Sequence, residues 1–256
     1  MASLANTGVK SNSASRSALA RESFYVRVGK RWFDASVSLA GLVLLSPVIL
    51  VVGIAVKLTS SGPAFYRQFR VGQFGRSFRI VKFRSMVENA DRAGPSITAY
   101  GDSRITGLGR WMRKNKIDEI PQLFNVFVGD MSLVGPRPEV PVYTAAYTQS
   151  QCRVFRQKPG ITGPAASAYV CEEEILAGQK EARRFYAAEI VPKKLELDLR
   201  YCEDIRFASD IKMIFETFAI VIERSVKPQI SLQHKPGSPN PARMELTPRN
   251  ISERRL

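Results

Sequence analysis

Histidine is almost missing from this 256-residue chain: His234 stands alone, among Lys235, Pro236, Gly237, Ser238 and Pro239, in a setting that reads as a tail. Histidine zinc sites, Ser-His-Asp triads and Cys-His dyads therefore lose their central member. Cysteine is scarce as well. Cys152, Cys171 and Cys202 are odd in number and far apart, which excludes a disulfide framework and a CxxC metal knuckle and points to a reducing compartment. Acidic residues number 23 against 38 Lys plus Arg, a formal net charge of +15. Such a surface prefers phosphates, nucleic acid or anionic lipid. Apolar residues are not scarce: 45% of the chain is hydrophobic, enough for a sizeable core, so global disorder is excluded.

Charge is absent altogether from Ala35 to Val56, a run of 22 residues bracketed by Lys30, Arg31 and Asp34 before it and Lys57 after it. That length suits a membrane segment. Near its middle lies Ser46-Pro47, where proline removes a backbone donor and clashes with the preceding turn. The break leaves pieces of about twelve and nine residues, each too short to cross a bilayer at 1.5 Å per residue. Basic residues stand on both flanks, Arg27, Lys30 and Arg31 on one side and Lys57, Arg67, Arg70, Arg76 and Arg79 on the other. Together these features predict a re-entrant helix over 27–58 that enters and returns on the cytoplasmic side, provided Ser46 or a neighbour satisfies the freed carbonyls. A kinked single span and a buried soluble helix are the alternatives. Residues 1–22 read as a flexible leader, 59–226 as a cytoplasmic catalytic domain and 227–256 as a flexible Pro- and Arg-rich tail.

Phe65, Arg67, Phe69 and Val71 alternate with polar partners, Gly72 to Gly75 offers a turn, and Phe78, Ile80 and Lys82 resume the period of two, so a β-hairpin is expected. Ala90 to Gly101 and Gly129 to Pro141 read as loops, and Thr106 to Val128 as helical pieces. Glu181 to Tyr201 and Ser209 to Arg224 read as helices, the second with Ile211, Ile214, Phe215, Phe218 and Ile222 on one face for core or membrane-surface packing. The fold class is therefore predominantly α with a small β-hairpin, a membrane-embedded re-entrant helix and amphipathic surface helices.

The first candidate for chemistry is Asp118-Glu119. Pro121 is tolerated only in the first turn of a helix, so a helix must begin close to Asp118 and both acids sit at its positive end, which lowers their pKa and attracts phosphate. Ionised Asp is a candidate nucleophile toward phosphorus and the adjacent Glu a candidate ligand for Mg²⁺. The bland reading is a first-turn charge preference. Second is Gly135-Pro136-Arg137-Pro138, where a stiff backbone presents an arginine whose planar fork matches two phosphate oxygens; a structural turn is the alternative. Third are Lys82 and Arg84 in Lys82-Phe83-Arg84-Ser85-Met86 at the hairpin exit, and Arg113 in the next helix, which equally read as solvated charge.

Taken in order, these pieces resemble the bacterial sugar transferase family of monotopic phosphoglycosyl transferases. The residues that carry the resemblance are Lys30-Arg31 with Phe33-Asp34, the Ser46-Pro47 break, Gly62-Pro63 with Phe65, Arg70 to Gly72, Lys82 to Met86, Asp118 to Val126, Gly129 to Pro138, Pro159 to Gly163, and Leu197-Asp198 with Tyr201. They cover about Arg27 to Arg224 and match the minimal form, without the extra multi-span N-terminal region of larger members. The resemblance implies Mg²⁺-dependent transfer of a sugar 1-phosphate from a nucleotide diphosphate sugar, usually a UDP-sugar, to polyprenyl phosphate with release of UMP, at the bacterial inner membrane with the catalytic domain facing the cytoplasm. Asp118 matches the family's nucleophile, which forms a phosphosugar-aspartyl intermediate that the lipid phosphate resolves. Glu119 matches the Mg²⁺-binding acid, Arg113 and Arg137 match phosphate-binding positions, and Asp198 is carried over as part of the metal or nucleotide site. One departure follows Gly163: where the family commonly has Trp-Ala-Gln-Val-Asn-Gly-Arg, this chain has Pro164, Ala165, Ala166, Ser167, Ala168, Tyr169 and Val170, which removes polar groups that would face nucleotide or sugar.

Anionic membrane lipids are the further expected partner, a homo-oligomer is compatible with the sequence, and nucleic acid is not expected, since no binding motif or basic face with stacked aromatics is present. The rivals are a membrane-anchored nucleic-acid binder, which would show salt-sensitive binding without UDP-sugar turnover, and a noncatalytic scaffold of the transferase fold. The flank argument makes a topological prediction: single cysteines at positions 27 and 57 should both be labelled from the cytoplasmic side. Reagent access to one of them only from the periplasm would sink the re-entrant reading.

Overall fold

The computed structural model describes residues 24–94 and 97–226. The leader expected over 1–22 and the tail expected over 227–256 lie outside the described residues. The uncharged run folds as two helices, α1 (Lys30–Leu44), entered from a wider π turn at Tyr25–Gly29, and α2 (Ser46–Thr59). The pair bends by 61° at Leu45. No single described helix is long and apolar enough to cross a membrane; only the bent pair together reaches that length and composition. The cause of the bend is local. Pro47 has no N–H for the carbonyl of Val43, and Ser46 Oγ donates to that carbonyl instead at 2.8 Å. Around the bend Val43, Leu44, Leu50 and Val51 are exposed.

The opposite face of α1 is polar and buried. Lys30, Asp34 and Ser38, spaced by four on one helical face, are 9%, 3% and 0% exposed. Asp34 Oδ1 accepts from the Leu133 N–H at 3.0 Å, and Lys30 Nζ donates to Asp210 Oδ2 at 2.5 Å. Arg31 donates to the carbonyls of Val126 and Phe127 in the last turn of a short helix. So two of the three cations counted on the N-terminal flank serve the protein rather than a headgroup layer, because they stand one turn inside the helix and against the domain.

A hairpin follows, β1 (Phe65–Val71) antiparallel to β2 (Ser77–Phe83), with Phe65 opposite Phe83 and Val71 opposite Ser77. Its period is as the sequence predicts, but in β1 the aromatic face points outward. Phe65 and Phe69 are exposed, with the Arg79 guanidinium 4.8 Å from the Phe69 ring centroid, while Tyr66, Gln68 and Arg70 turn inward. The inner face borders a polar cleft, so it takes the polar set. Next come α3 (Gly107–Lys114), capped by Thr106 Oγ1 accepting from the Gly109 N–H, a one-turn 3₁₀ helix at Ile117–Glu119, and α4 (Gln122–Val128).

Two stretches expected as loops contain structure. Ala90–Ala93 forms a single helical turn, and Ser132–Val134 (β3) pairs in parallel with Gly160–Thr162 (β4). Strands of three residues are too short to display an alternation. Helix α5 (Pro164–Ala168) follows, then α6 (Val191–Glu203), which continues a helical path begun at Ala182, and α7 (Phe207–Val226). The core around Ile80, Val126, Met131, Val134 and Tyr201 joins hairpin, α4, β3 and α6. Val52 and Val56 of α2 pack with Phe83 and Met112. On α7, Phe215, Phe218 and Ile222 remain exposed, an amphipathic helix with its apolar face uncovered by the described residues.

Asn125, 2% exposed, fixes α4 to β2. Its Oδ1 accepts from the Val81 N–H at 2.9 Å and its Nδ2 donates to the Arg79 carbonyl at 2.8 Å, completing the edge of the hairpin as another strand would. Asn125→Leu should leave both backbone groups buried and unpaired, at about 1–3 kcal/mol each. A fall in Tm of several degrees is expected in a thermal melt of the purified protein.

Candidate active site

Residues 82, 84, 113, 118, 119 and 137 line one cleft of about 630 Å³ between the hairpin, α3 and the segment after α5. Ten Lys and Arg side chains face eight carboxylates in its lining. Lys82 stands at the end of β2, and Arg84, two residues on, continues the same face. The acids arrive differently. After α3 the chain reverses through Lys116, a non-glycine residue in the left-handed region at φ 57°, and the 3₁₀ turn it opens carries Asp118 and Glu119. Helix α4 begins only at Gln122 and has seven residues. The expected helix start at Asp118 is thus one turn early, and a helix dipole is not what acts on the pair.

What acts on them is burial against neighbouring cations, and it treats the two acids oppositely. Glu119 Oε1 accepts from Lys82 Nζ at 2.7 Å, with Arg137 Nη2 at 3.7 Å. Burial works to raise its pKa, but Lys82, Lys116 and Arg137 overcome it and hold the carboxyl well below the usual range. Asp118 is 6% exposed, and its Oδ1 is buried with no hydrogen-bond partner among the described residues. Burial and then the Glu119 charge push its pKa up, against the nearby Lys82 and Arg113. The expectation that both carboxyls are lowered holds for Glu119 and fails for Asp118. Burial likewise lowers Lys82.

Arg137 is set by its backbone. Gly135 approaches the chain so closely that a Cβ there would strike the Lys158 carbonyl, and a Cβ at Gly160 or Gly163 would strike Gly135. The Gly135 N–H donates to Thr162 O and the Gly160 N–H to Pro136 O. Asp198 closes this arrangement from behind, accepting the N–H of Arg137 at 2.9 Å and of Ala165 at 3.2 Å. Its carboxyl, 3% exposed, is pushed up to about 6 by burial despite those bonds. It lies in the wall beneath Arg137 and is absent from the lining of the cleft.

The remaining candidates are engaged at the cleft's borders. Arg113 pairs with Glu173, with Ser85 Oγ at 3.4 Å, and Arg84 donates to Ser60. The run Glu172-Glu173-Glu174, which the sequence reading passed over, pairs in turn with Lys194, Arg113 and Arg224. It follows directly on the stretch that departs from the family pattern, which was the available signal. Arg224 of α7 also donates to the Val170 carbonyl at 2.5 Å, so a cation from a distant helix reaches the place where the family's own arginine is missing.

A carboxyl whose pKa is raised by folding favours the folded state below the ordinary carboxylate range, and that advantage disappears as pH rises through its folded pKa. Asp118→Asn removes the charge that burial penalises. The variant should match the wild type in Tm near pH 4 and exceed it at neutral pH, by about 2–4 °C for about 1 kcal/mol. Melts across that pH range check the divergence; a lower Tm at neutral pH would contradict it.

A model of the family described as bacterial sugar transferase matches residues 25–224. The chain is 35% identical over 198 residues to the UDP-N-acetylgalactosamine-undecaprenyl-phosphate N-acetylgalactosaminephosphotransferase of Aeromonas hydrophila, covering 75% of this chain and 43% of that protein. It is 38% identical over 196 residues to the UDP-glucose:undecaprenyl-phosphate glucose-1-phosphate transferase of Klebsiella pneumoniae, covering 74% and 39%. It is 31% identical over 209 residues to the exopolysaccharide production protein ExoY of Sinorhizobium fredii, covering 76% and 85%. The chain thus spans about two fifths of the first two relatives, 43% and 39% of their length. It belongs to the bacterial sugar transferase family.

Proposed function

We propose that this chain transfers a sugar 1-phosphate from a UDP-sugar to polyprenyl phosphate with release of UMP, as the membrane-committed first step of polysaccharide or glycoconjugate assembly. The observation that carries the reading is the opposite treatment of two adjacent carboxylates in one cationic cleft. Asp118 has a buried oxygen without a donor, so once ionised it is poorly stabilised and reactive toward phosphorus. Glu119 is held ionised by Lys82 and Arg137. The relatives' names supply the substrate class, and the bent, apolar α1–α2 pair supports placing the cleft beside the membrane.

In this reading an Asp118 carboxylate oxygen attacks the sugar-linked phosphorus, the bond to the bridging oxygen breaks, and UMP departs with that oxygen. Arg113, Arg137 and Lys82 take up negative charge on the phosphoryl oxygens. An oxygen of polyprenyl phosphate then attacks the same phosphorus and frees the Asp118 carboxylate. No group of three or more metal-ligating side chains occurs among the described residues. The site fits Mg²⁺ nonetheless, since that ion takes one or two carboxylates and completes its shell with phosphate and water. Glu119 would hold it, and the ion would neutralise charge on the departing phosphate. We place the protein at the bacterial inner membrane with the cleft facing the cytoplasm, where nucleotide sugars are available.

Intact-protein mass spectrometry after brief exposure to a UDP-sugar and Mg²⁺, without lipid, tests the chemistry. A phosphosugar adduct is expected in the wild type and not in Asp118→Asn, which should also lose turnover by at least 10³-fold. Glu119→Gln should raise the Mg²⁺ concentration needed for half-maximal rate by about tenfold or more. An enzyme active with lipid that shows no adduct would replace the nucleophile with a base at Asp118.

A further inference from the structure

Arg84 is 6% exposed and lines the cleft, yet its Nε and Nη1 are buried and have no hydrogen-bond partner among the described residues. Its Nη2 alone is fixed, donating to Ser60 O and Ser60 Oγ at 2.8 Å each. Ser60 is the residue that ends α2, its N–H donating to the Val56 carbonyl. Gly62 is part of the same corner: it lies at φ 104°, and a Cβ there would collide with Arg84 Nη1 and stand 3.1–3.3 Å from the Glu88 carboxylate, which is near the guanidinium but forms no ion pair with it among the described residues. A buried guanidinium with unpaired N–H groups is unfavourable unless an anion completes it. The corner therefore fits a ligand with phosphate chemistry.

Its position says which phosphate. Pro63, Phe65 and Phe83 line the cleft at this end, Phe83 packs against Val52 and Val56 of α2, and Phe65 stacks on Phe83 at 5.3 Å. Phe83 is itself only 1% exposed, so the apolar surface at this end is made by Pro63 and by Phe65 at the rim of the hairpin, resting on a buried core shared with α2. Lys82, which grips Glu119, is two residues back on the same face, roughly 7 Å along a strand. The cations beside the acid pair, Lys82, Arg113 and Arg137, serve the donor's diphosphate. Arg84 faces the route by which a lipid-borne phosphate would come.

We infer that Arg84, anchored by Ser60 at the end of α2, is the subsite for the acceptor: a phosphate monoester on an isoprenoid chain whose apolar tail lies along the exposed Pro63 and Phe65. The inference rests on the transferase reading above. From this subsite a phosphate oxygen reaches the phosphorus carried by Asp118, forms the new P–O bond and releases the carboxylate, with no further reactant.

The test uses the full chain in lipid nanodiscs, with Arg84→Lys keeping the charge and losing the additional N–H donors. Steady-state kinetics should show KM for undecaprenyl phosphate raised at least tenfold, KM for the UDP-sugar within twofold, and adduct formation without lipid unchanged. Ser60→Ala, which removes one anchor of the guanidinium and covers the case of Arg84→Lys failing to fold, should raise the lipid KM about threefold. Retention of labelled farnesyl phosphate, measured without donor, should fall in both variants, and inorganic phosphate should compete far less well than farnesyl phosphate. An unchanged lipid KM, a raised donor KM, slowed adduct formation, or equal competition by inorganic phosphate would each overturn the assignment. A wild type that turns over no UDP-sugar would refute the transferase reading, and the farnesyl phosphate measurement would still decide the role of Arg84.

Discussion

The molecule turns on the buried ion pair between Lys30 and Asp210. Asp210 is 0% exposed, and besides Lys30 it accepts from Tyr25 Oη and Tyr201 Oη, each at 2.7 Å. Four side chains from the start of the bent helix pair, the end of α6 and the beginning of α7 thereby satisfy one another. Such a cluster is unfavourable when half-made, because removing one partner strands a charge in low dielectric. It consequently specifies one arrangement: the first half of α1 lies against the domain, and the apolar bend around Leu45 extends beyond it. Asp34, one turn on, repeats the device by accepting the N–H of Leu133 in β3. The bent helix pair and the domain that holds the cleft are registered to each other by these contacts.

The cleft inherits that registration. Helix α2 delivers Ser60 to Arg84, Asn125 ties α4 to the strand that ends in Lys82, and Asp198 holds the backbone of Arg137 from behind. Arg84, Lys82 and Arg137 are thus each placed through a neighbour that is absent from the lining of the cleft. Within this frame the acid pair is asymmetric. Asp118 is buried and Glu119 half-buried, but only Glu119 touches Lys82, and in low dielectric that contact decides which acid stays firmly ionised. Asp118, whose buried Oδ1 is left without a donor, is the member of the pair whose charge the fold stabilises less.

Much of this was legible in the chain. The uncharged run with Ser46-Pro47 at its centre fixes two helices and a break, and Ser46 rescues the carbonyl that Pro47 orphans, all within four residues. The hairpin follows from its alternation and glycine turn, and the acid pair and Gly-Pro-Arg-Pro follow from motif. The parallel pairing of Ser132–Val134 with Gly160–Thr162 was not legible, because three residues carry no period and their partners lie some 28 positions away. Nor was the inward face of β1, since alternation gives two faces without saying which one meets a polar cleft.

The sequence by itself determined where the chain bends and where its longer helices run, because these depend on neighbours within a few positions: a missing N–H, a spacing of four. Only the tertiary structure decided what each residue experiences. Lys30 and Asp34 read as a charged flank and are instead the joint between helix and domain. Asp118 and Glu119 read as equals at a helix end and are driven apart in pKa by burial and by Lys82, which is 37 residues away in the chain and 2.7 Å from Glu119 in space. Long-range Coulomb interaction and desolvation depend on which distant groups are brought together and how far water is excluded, and neither quantity is carried by local sequence.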